Sequence, residues 1–440
     1  MSELMFARSQ MAMSLAFHIV FAALGVGMPL LMAIAEGAYL RTREPTYLDL
    51  SRRWATGTAV LFAVGAVSGT VLSFELGLLW PSFMAHAGAI IGMPFSLEGF
   101  AFFTEAIFIG VYLYGWDRLP PRIHWLAGVI VAASGVLSSA FVVTANAWMN
   151  APTGFRVANG TFTDIDPIAA MLNPASLHEV VHMTLAAFTA TGFAVAAVHA
   201  WFLRRDRTSG FHRRALGIAL TVACISIPLQ ILSGDLSARA VGRLQPAKLA
   251  AMEAHYITGA GVPLLIGGIP DDSTRTVAHA IHIPVGLSLL LTGDPGATIT
   301  GLDHFPEGDW PDVRVVHWAF DLMVAAGMAL LAVAAWTLWL RVTGRPLVEQ
   351  RTWLGAVVLV GPLGFVAIEA GWAVTEVGRQ PWIIYNVMRT ADAVTPMPGL
   401  VVPFVAFTAL YVFLAFVVVV ALRRQFLETR SGGTKAGTDA

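Results

Sequence analysis

The sequence predicts an all-α, polytopic membrane protein of about nine transmembrane helices, with its N-terminus outside and its C-terminus in the cytoplasm. Three observations carry that prediction. Hydrophobic residues make up 56% of the chain and charged residues 12%, well under the roughly 25% charged content of an average soluble domain. Apolar runs long enough to cross about 30 Å of hydrocarbon at about 1.5 Å per residue recur along the chain. The basic residues cluster on alternate connections, which sets an orientation by the positive-inside rule.

The first run, residues 11 to 39, is too long for a signal-peptide core and has no small-residue cleavage site before the next, so it reads as a retained helix. Further runs lie near residues 54–79, 94–115, 123–147, 176–203, 214–233, 313–341, 353–374 and 396–422. Arg41, Arg43, Arg52 and Arg53 follow the first helix, Arg118 and Arg122 the third, and Arg204, Arg205, Arg207, Arg213 and Arg214 the fifth. Arg341, Arg345 and Arg351 follow the seventh, and Arg423 and Arg424 end the ninth. The N-terminus and the short opposite loops carry only Arg8, Arg156, Arg379 and Arg389, which makes that side extracytoplasmic.

Four regions follow: the first six helices over 1–233, a long extracytoplasmic loop over 234–312, the last three helices over 313–425, and a disordered cytoplasmic tail over 426–440. A loop of that length is usually functional. Amphipathic stretches such as Val277 to Leu291 suggest partial order at the membrane surface. The net charge of -1 excludes a strongly basic nucleic-acid binder. With Cys224 as the single cysteine, neither an intramolecular disulfide nor a C-x-x-C-H attachment site can form, so any haem is held non-covalently.

An ionisable group inside the bilayer costs at least about 2.5 kcal/mol, so each needs a partner or a role. With the orientation above, His18, Glu98, His182, Met323, Glu369 and Glu376 all fall in the outer part of the membrane. Iron in haem takes axial ligands from His, Met or an anionic oxygen. His182 and Met323 could clasp one porphyrin, and His18 with a carboxylate could serve an iron that has an open position. Against this, a lone membrane histidine is often a satisfied core residue, and Met323 is one of 16 methionines. Glu98 and Glu105, seven residues apart, share a helical face about 10 Å apart along the axis, a spacing that suits a proton path better than packing. His178, His199, His212 and His255 are placed at helix ends or loops without a role.

These residues sit in an ordered set of motifs. Ala7-Arg8-Ser9-Gln10 leads to His18, followed by Leu97-Glu98-Gly99-Phe100 with Phe103-Thr104-Glu105, Ser139-Ala140, and Ala145-Asn146-Ala147-Trp148-Met149. Then come Val181-His182, Gly234-Asp235, Lys248 to Ala254, Gly268-Ile269-Pro270-Asp271, and Glu369-Ala370-Gly371-Trp372 running to Glu376-Val377-Gly378-Arg379-Gln380-Pro381-Trp382. From about Arg8 to the ninth helix the chain resembles subunit I of the cytochrome bd family, and the Gly-Arg-Gln-Pro-Trp segment is the most specific signal.

The resemblance implies a quinol:oxygen oxidoreductase of the bacterial cytoplasmic membrane. It implies a low-spin haem b between His182 and Met323, with His18 and Glu376 as ligands of two high-spin haems: one haem b, and a haem d or third haem b. Glu98 would be an iron ligand or proton donor, Glu105 and Ser139 parts of a proton channel, and Trp372, Arg379 and Gln380 neighbours of the cofactor. Lys248 and Glu253 match the quinol-contacting pair of a short outer loop. Implied partners are a subunit II, quinol, dioxygen and small single-helix accessory subunits. Where the family often carries Arg two residues before the ligating Met, this chain has Asp321, which implies a lower haem potential or a propionate held by another base such as Arg314 or Arg379. Two other readings remain open: a bd-family haem oxidoreductase with only b-type haems or another electron donor, and a proton-coupled transporter. The transporter reading lacks the internal repeat common in that class.

Overall fold

The computed structural model describes residues 2–158 and 160–431, the last seven as backbone alone. Among these residues, nine helical segments are long and apolar enough to cross a membrane. They are formed by α1 (Glu3–Thr42), α2 (Pro45–Leu79), α3 (Pro81–Tyr114), α4 (Pro121–Asn150), α5 (Ser176–Leu203) and α6 (Gly210–Leu244). After the short α7 (Pro246–Met252) come α8 (Val313–Val342), the pair α9 (Arg351–Val360) and α10 (Leu363–Val377) that together form one span, and α11 (Val401–Ser431). The rest of the expected tail lies outside the described residues.

The helices are longer than their apolar windows because capping and ion pairing extend them into polar sequence. Proline occupies the first turn of α2 and α3, where its missing N–H is unneeded. Asp312 caps α8 by accepting from Val315 N at 3.1 Å. At the end of α6, Asp235 and Arg239 pair at 2.8 Å across one turn. The helix therefore runs to Leu244, so Gly234 and Asp235 lie within it instead of opening the outer loop as the sequence suggested.

The chain forms two compact units. One holds residues up to 84, 101–136 and from 394; the other holds 85–100 and 137–393. In the first, α1 packs on α2 and α11. Leu400 N donates to Glu3 Oε2 at 2.9 Å, and His124 Nδ1 meets Glu36 Oε1 at 2.7 Å in the buried interior. In the second, α5 packs against α6, α9 and α10. Small residues set that packing: a Cβ added at Gly364 would sit 2.5 Å from Ala190 Cα, and one at Gly361 would sit 2.4 Å from Ala197 Cβ. Without a hydrophobic force between helices in lipid, such close backbone approach is the main source of association.

The loop between α6 and α8 is ordered by short antiparallel pairs. Residues 259–260 pair with 298–299, 264–266 with 281–283, and 269–271 with 276–278. The stretch expected to be amphipathic, Val277 to Leu291, thus divides into strand residues and a helix over Gly286–Thr292.

Gly364→Val places a branched side chain against Ala190 and should lower the thermal unfolding midpoint in detergent, by more than the roughly 1–3 kcal/mol usual for overpacking. Gly355→Val, with nothing within 4 Å of its Cβ, should leave the midpoint nearly unchanged; equal midpoints for both variants would contradict the packing described.

Candidate functional site

Two histidines share one construction. His182 on α5 places Nδ1 2.9 Å from Ser233 Oγ on α6. The Ser233 hydroxyl is already committed to the carbonyl of Gln230 at 3.0 Å. Nδ1 must therefore be the donor and Nε2 the acceptor, and Gln230 Nε2 donates to it at 3.1 Å. In the other unit, His18 on α1 places Nδ1 2.9 Å from Ser68 Oγ on α2. Ser68 spends its proton on Val64 O at 2.9 Å or Gly65 O at 3.1 Å, and Nε2 of His18 again keeps its lone pair. A neutral imidazole, fixed in one tautomer by a hydrogen bond from its other nitrogen, is the form that ligates a metal.

Each of these rings also faces a glycine. A Cβ at Gly69 would lie 3.0 Å from His18 Cε1, and one at Gly234 would lie 3.4 Å from His182 Cε1. The thioether of Met323 on α8 has the same relation to α10, with Sδ 3.0 Å from a Cβ built at Gly371. Three of the four expected iron ligands are thus soft or neutral donors seated against bare backbone. Gln230 Oε1 is buried without a partner beside His182. These residues fit haem as non-covalent axial ligands.

The fourth, Glu376 at the end of α10, sits in a charged network. Its Oε1 accepts from Asn146 Nδ2 at 2.5 Å and its Oε2 from Arg379 Nη2 at 2.6 Å. Each carboxylate oxygen keeps a second lone pair, and the Glu376 side chain is 31% exposed where Arg379 is 1% exposed. The network centres on Asn150 of α4. Its Oδ1 accepts from Lys248 Nζ at 2.9 Å, Gln245 at 3.3 Å and Arg379 at 3.4 Å. Its Nδ2 donates to Asn146 Oδ1 and to Glu179 Oε1, both at 3.1 Å. Lys248, Arg379, Glu179 and Glu376 together sum to zero charge. Burial first, and Arg379 second, pull the Lys248 ammonium down to about 7 against the pull of Glu179 and Glu376.

Lys248 and Glu253 are both buried and face different partners. Burial, then the nearby Asp321, raises the Glu253 carboxyl to about 8. Asp321 Oδ2 accepts from Gly267 N at 2.8 Å and lies 3.5 Å from His317 Nε2. His317 in turn bridges Met252 O at 2.7 Å and Gly267 O at 3.1 Å. The aspartate that replaces the expected arginine therefore ties the outer loop to α8.

The remaining expected residues divide between the units. Glu98 accepts from Ser138 Oγ at 3.2 Å, so the hydroxyl meeting it is the neighbour of Ser139. Glu105 is buried, with both carboxylate oxygens 3.5 Å from a Cβ built at Gly135. Gln380 turns away from the carboxylates: its Oε1 accepts from Thr390 at 2.8 Å and its Nε2 donates to Glu376 O at 3.4 Å, which holds the chain after α10. Trp372 is half-buried on α10. Ser68, Ser233, Asn150, Glu179 and His317 were not singled out from the sequence. The spacing of Asn146 and Asn150, one turn apart at the end of a span, was a signal for the network. His178, given no role, is on α5 one turn before His182 with neither ring nitrogen hydrogen-bonded.

Ser233→Ala removes the acceptor that fixes His182 and should weaken cofactor retention by roughly 10- to 100-fold, read as haem per protein, while Ser233→Thr restores it. Unchanged haem content in Ser233→Ala would show that the serine does not orient the ring.

A family model described as "Cytochrome bd terminal oxidase subunit I" matches residues 6–430. The chain is 37% identical over 432 residues to "Putative cytochrome bd menaquinol oxidase subunit I" of Bacillus subtilis (strain 168), with 97% of each covered. It is 31% identical to "Cytochrome bd ubiquinol oxidase subunit 1" of the same organism, over 97% of this chain and 94% of that one. Among solved structures, that of bd oxidase from Geobacillus thermodenitrificans superposes with a TM-score of 0.92 at 39% identity, covering 97% of this chain and 98% of its own.

Proposed function

The chain belongs to the cytochrome bd terminal oxidase subunit I family, a family of multi-pass membrane oxidoreductases, and from that premise we propose that it carries three haems, oxidises quinol at its outer loop and reduces dioxygen to water. The observation that carries this reading is the matched pair of imidazoles, His18 and His182, each with Nδ1–H given to a serine and Nε2 kept as a lone pair. A transporter has no need of that tautomer at two places.

In this proposal His182 and Met323 hold the low-spin haem b, and His18 and Glu376 hold two high-spin haems, a haem b and a haem d or third haem b. Bound haem supplies one-electron transfer and, at an iron with an open position, the reduction of dioxygen. The chain's own residues manage protons. Lys248 donates a hydrogen bond to the hydroquinone oxygen, and Glu253, once ionised, accepts the proton released as the ring is oxidised. Glu105 and Glu98 pass protons inward from the cytoplasmic side, with Ser138 and Ser139 as hydroxyl carriers. Two quinols give four electrons and four protons outside, and one dioxygen takes four electrons and four protons to form two waters. Uptake on one side and release on the other generates proton-motive force without a pump. The orientation read from the arginines, N-terminus outside, is part of this proposal, as are a subunit II and small accessory subunits in the bacterial cytoplasmic membrane.

A reduced-minus-oxidised absorbance spectrum tests the reading directly. Haem bands are expected, with the low-spin b signal lost in His182→Ala; a protein purified intact without haem bands would end it.

The rate of quinol oxidation should also depend on pH through Glu253. A carboxyl held near 8 is protonated below that pH and cannot accept, so the rate should rise as pH passes about 8. Asp321→Asn, by removing the second cause of the elevation, should move the midpoint down. Glu253→Gln should abolish the rising limb; a limb that persists in that variant assigns proton acceptance elsewhere.

A further inference from the structure

Glu75 on α2 is a carboxylate that no step above uses. It is 0% exposed, as are Gln10 and Ser14 of α1, and Tyr411 of α11 is 3% exposed. Gln10 Nε2 donates to Glu75 Oε1 at 2.9 Å. A carboxylate only accepts, so this bond fixes which end of the amide is the donor and leaves Gln10 Oε1 as an acceptor. Ser14 reaches toward the carboxylate, and the Tyr411 hydroxyl toward both. Even so, Gln10 Oε1, Ser14 Oγ, Glu75 Oε2 and Tyr411 OH all lack a hydrogen-bond partner. Ser14, Glu75 and Tyr411 are close enough to act on one another, and with Gln10 they offer four buried oxygens that a bridging atom could join.

Charge selects the atom. An isolated buried carboxylate is strongly disfavoured, and among the described residues no Lys, Arg or His pairs with Glu75; its partners are Ser14, Gln10 and the Tyr411 phenol. A water would bridge the oxygens and leave the charge in place. A divalent ion would demand more carboxylates than one. A transition metal prefers nitrogen or sulfur donors, which are absent from this group. One carboxylate with an amide carbonyl, an aliphatic hydroxyl and a phenol is an all-oxygen, singly charged donor set. We propose that Gln10, Ser14, Glu75 and Tyr411 form a binding site for one monovalent alkali cation, Na+, between α1, α2 and α11.

The site is closely built into the helices. Gln10, Ser14 and His18 recur every four residues on one face of α1. Ser68 and Glu75, seven residues apart, do the same on α2. The cation would sit along the line of side chains that ends at the His18 imidazole. Phe17 packs on the Tyr411 ring at 4.7 Å and helps hold the phenol over the site. The inference does not depend on which cofactors or electron donor the protein uses.

The test uses the protein purified in its membrane complex. Dicyclohexylcarbodiimide modifies protonated carboxyls in apolar surroundings, and peptide mass spectrometry reports Glu75 separately from Glu98 and Glu105. Na+ at equal ionic strength with choline should slow labelling of Glu75 by about tenfold, the change that about 1.4 kcal/mol of occupancy produces. Tyr411→Phe, which removes one oxygen and keeps the ring, should raise the protecting Na+ concentration severalfold. Radioactive sodium should be retained at one ion per complex and lost in Glu75→Gln, with Tyr411→Phe standing in if that variant fails to assemble. Equal Glu75 labelling in Na+ and choline, or sodium retention indifferent to these substitutions, would mean the carboxyl simply holds a proton and would overturn the site.

Discussion

An imidazole buried in a membrane-spanning helix has two ring nitrogens to satisfy and no water to help, and how it does so decides what else it can do. Placing both nitrogens against acceptor oxygens yields a structural residue. His317 is of that kind, with Nδ1 on Met252 O and Nε2 on Gly267 O, and His124 likewise, between Glu36 and Tyr112 O. His18 and His182 instead give one nitrogen to a serine whose own proton is already spent. The other nitrogen is left as an acceptor, which at His182 meets the Gln230 amide at 3.1 Å, and an acceptor nitrogen fixed in this way suits ligation of a metal. The remaining geometry follows: the glycines at 69 and 234 leave room at each ring, and the small-residue seam of α5 with α10 keeps His182 from shifting.

The network around Asn150 solves a different problem with the same economy. Two cations and two carboxylates lie together, and removing any one would leave an unpaired buried charge, which costs more than the pair contributes. Asn150 lets one side chain serve three donors and two acceptors, so the start of the outer loop at Lys248 is joined to α4, α5 and the end of α10. The loop is attached a second time through His317 and Asp321. A change at Lys248 is thus felt at Glu376 through three hydrogen bonds.

Much of this was readable in the sequence because hydrocarbon imposes a strong pattern. Nine spans were expected from apolar length alone, and nine are found among the described residues. Their ends were not predicted well: the apolar window of α2 began at 54 and the helix begins at Pro45, because an ion pair and a proline continue a helix that hydropathy cannot see. The expected ligands carry distinctive chemistry, so His18, His182, Met323 and Glu376 stood out. Their supports did not. Ser68 and Ser233 are ordinary residues in ordinary helices, and only the pairing of one helix with the next gives them meaning. Asp321 looked like a lost arginine because its partner, the amide of Gly267, is 54 residues away in sequence.

The buried carboxylates show how environment, not residue type, assigns a role. Glu376 meets an arginine in a network of two basic and two acidic side chains. Glu36 meets a histidine and packs as structure. Glu253 is buried and meets another carboxylate, and both favour its protonated form. Glu75 meets neither cation nor anion, only the Gln10 amide and neutral hydroxyls that have no other hydrogen-bond partner. The first three are each compensated by the protein itself. The fourth is left to a proton or to an ion from outside, and a single carboxylate among amide, hydroxyl and phenol oxygens is matched to a small, hard, singly charged ion.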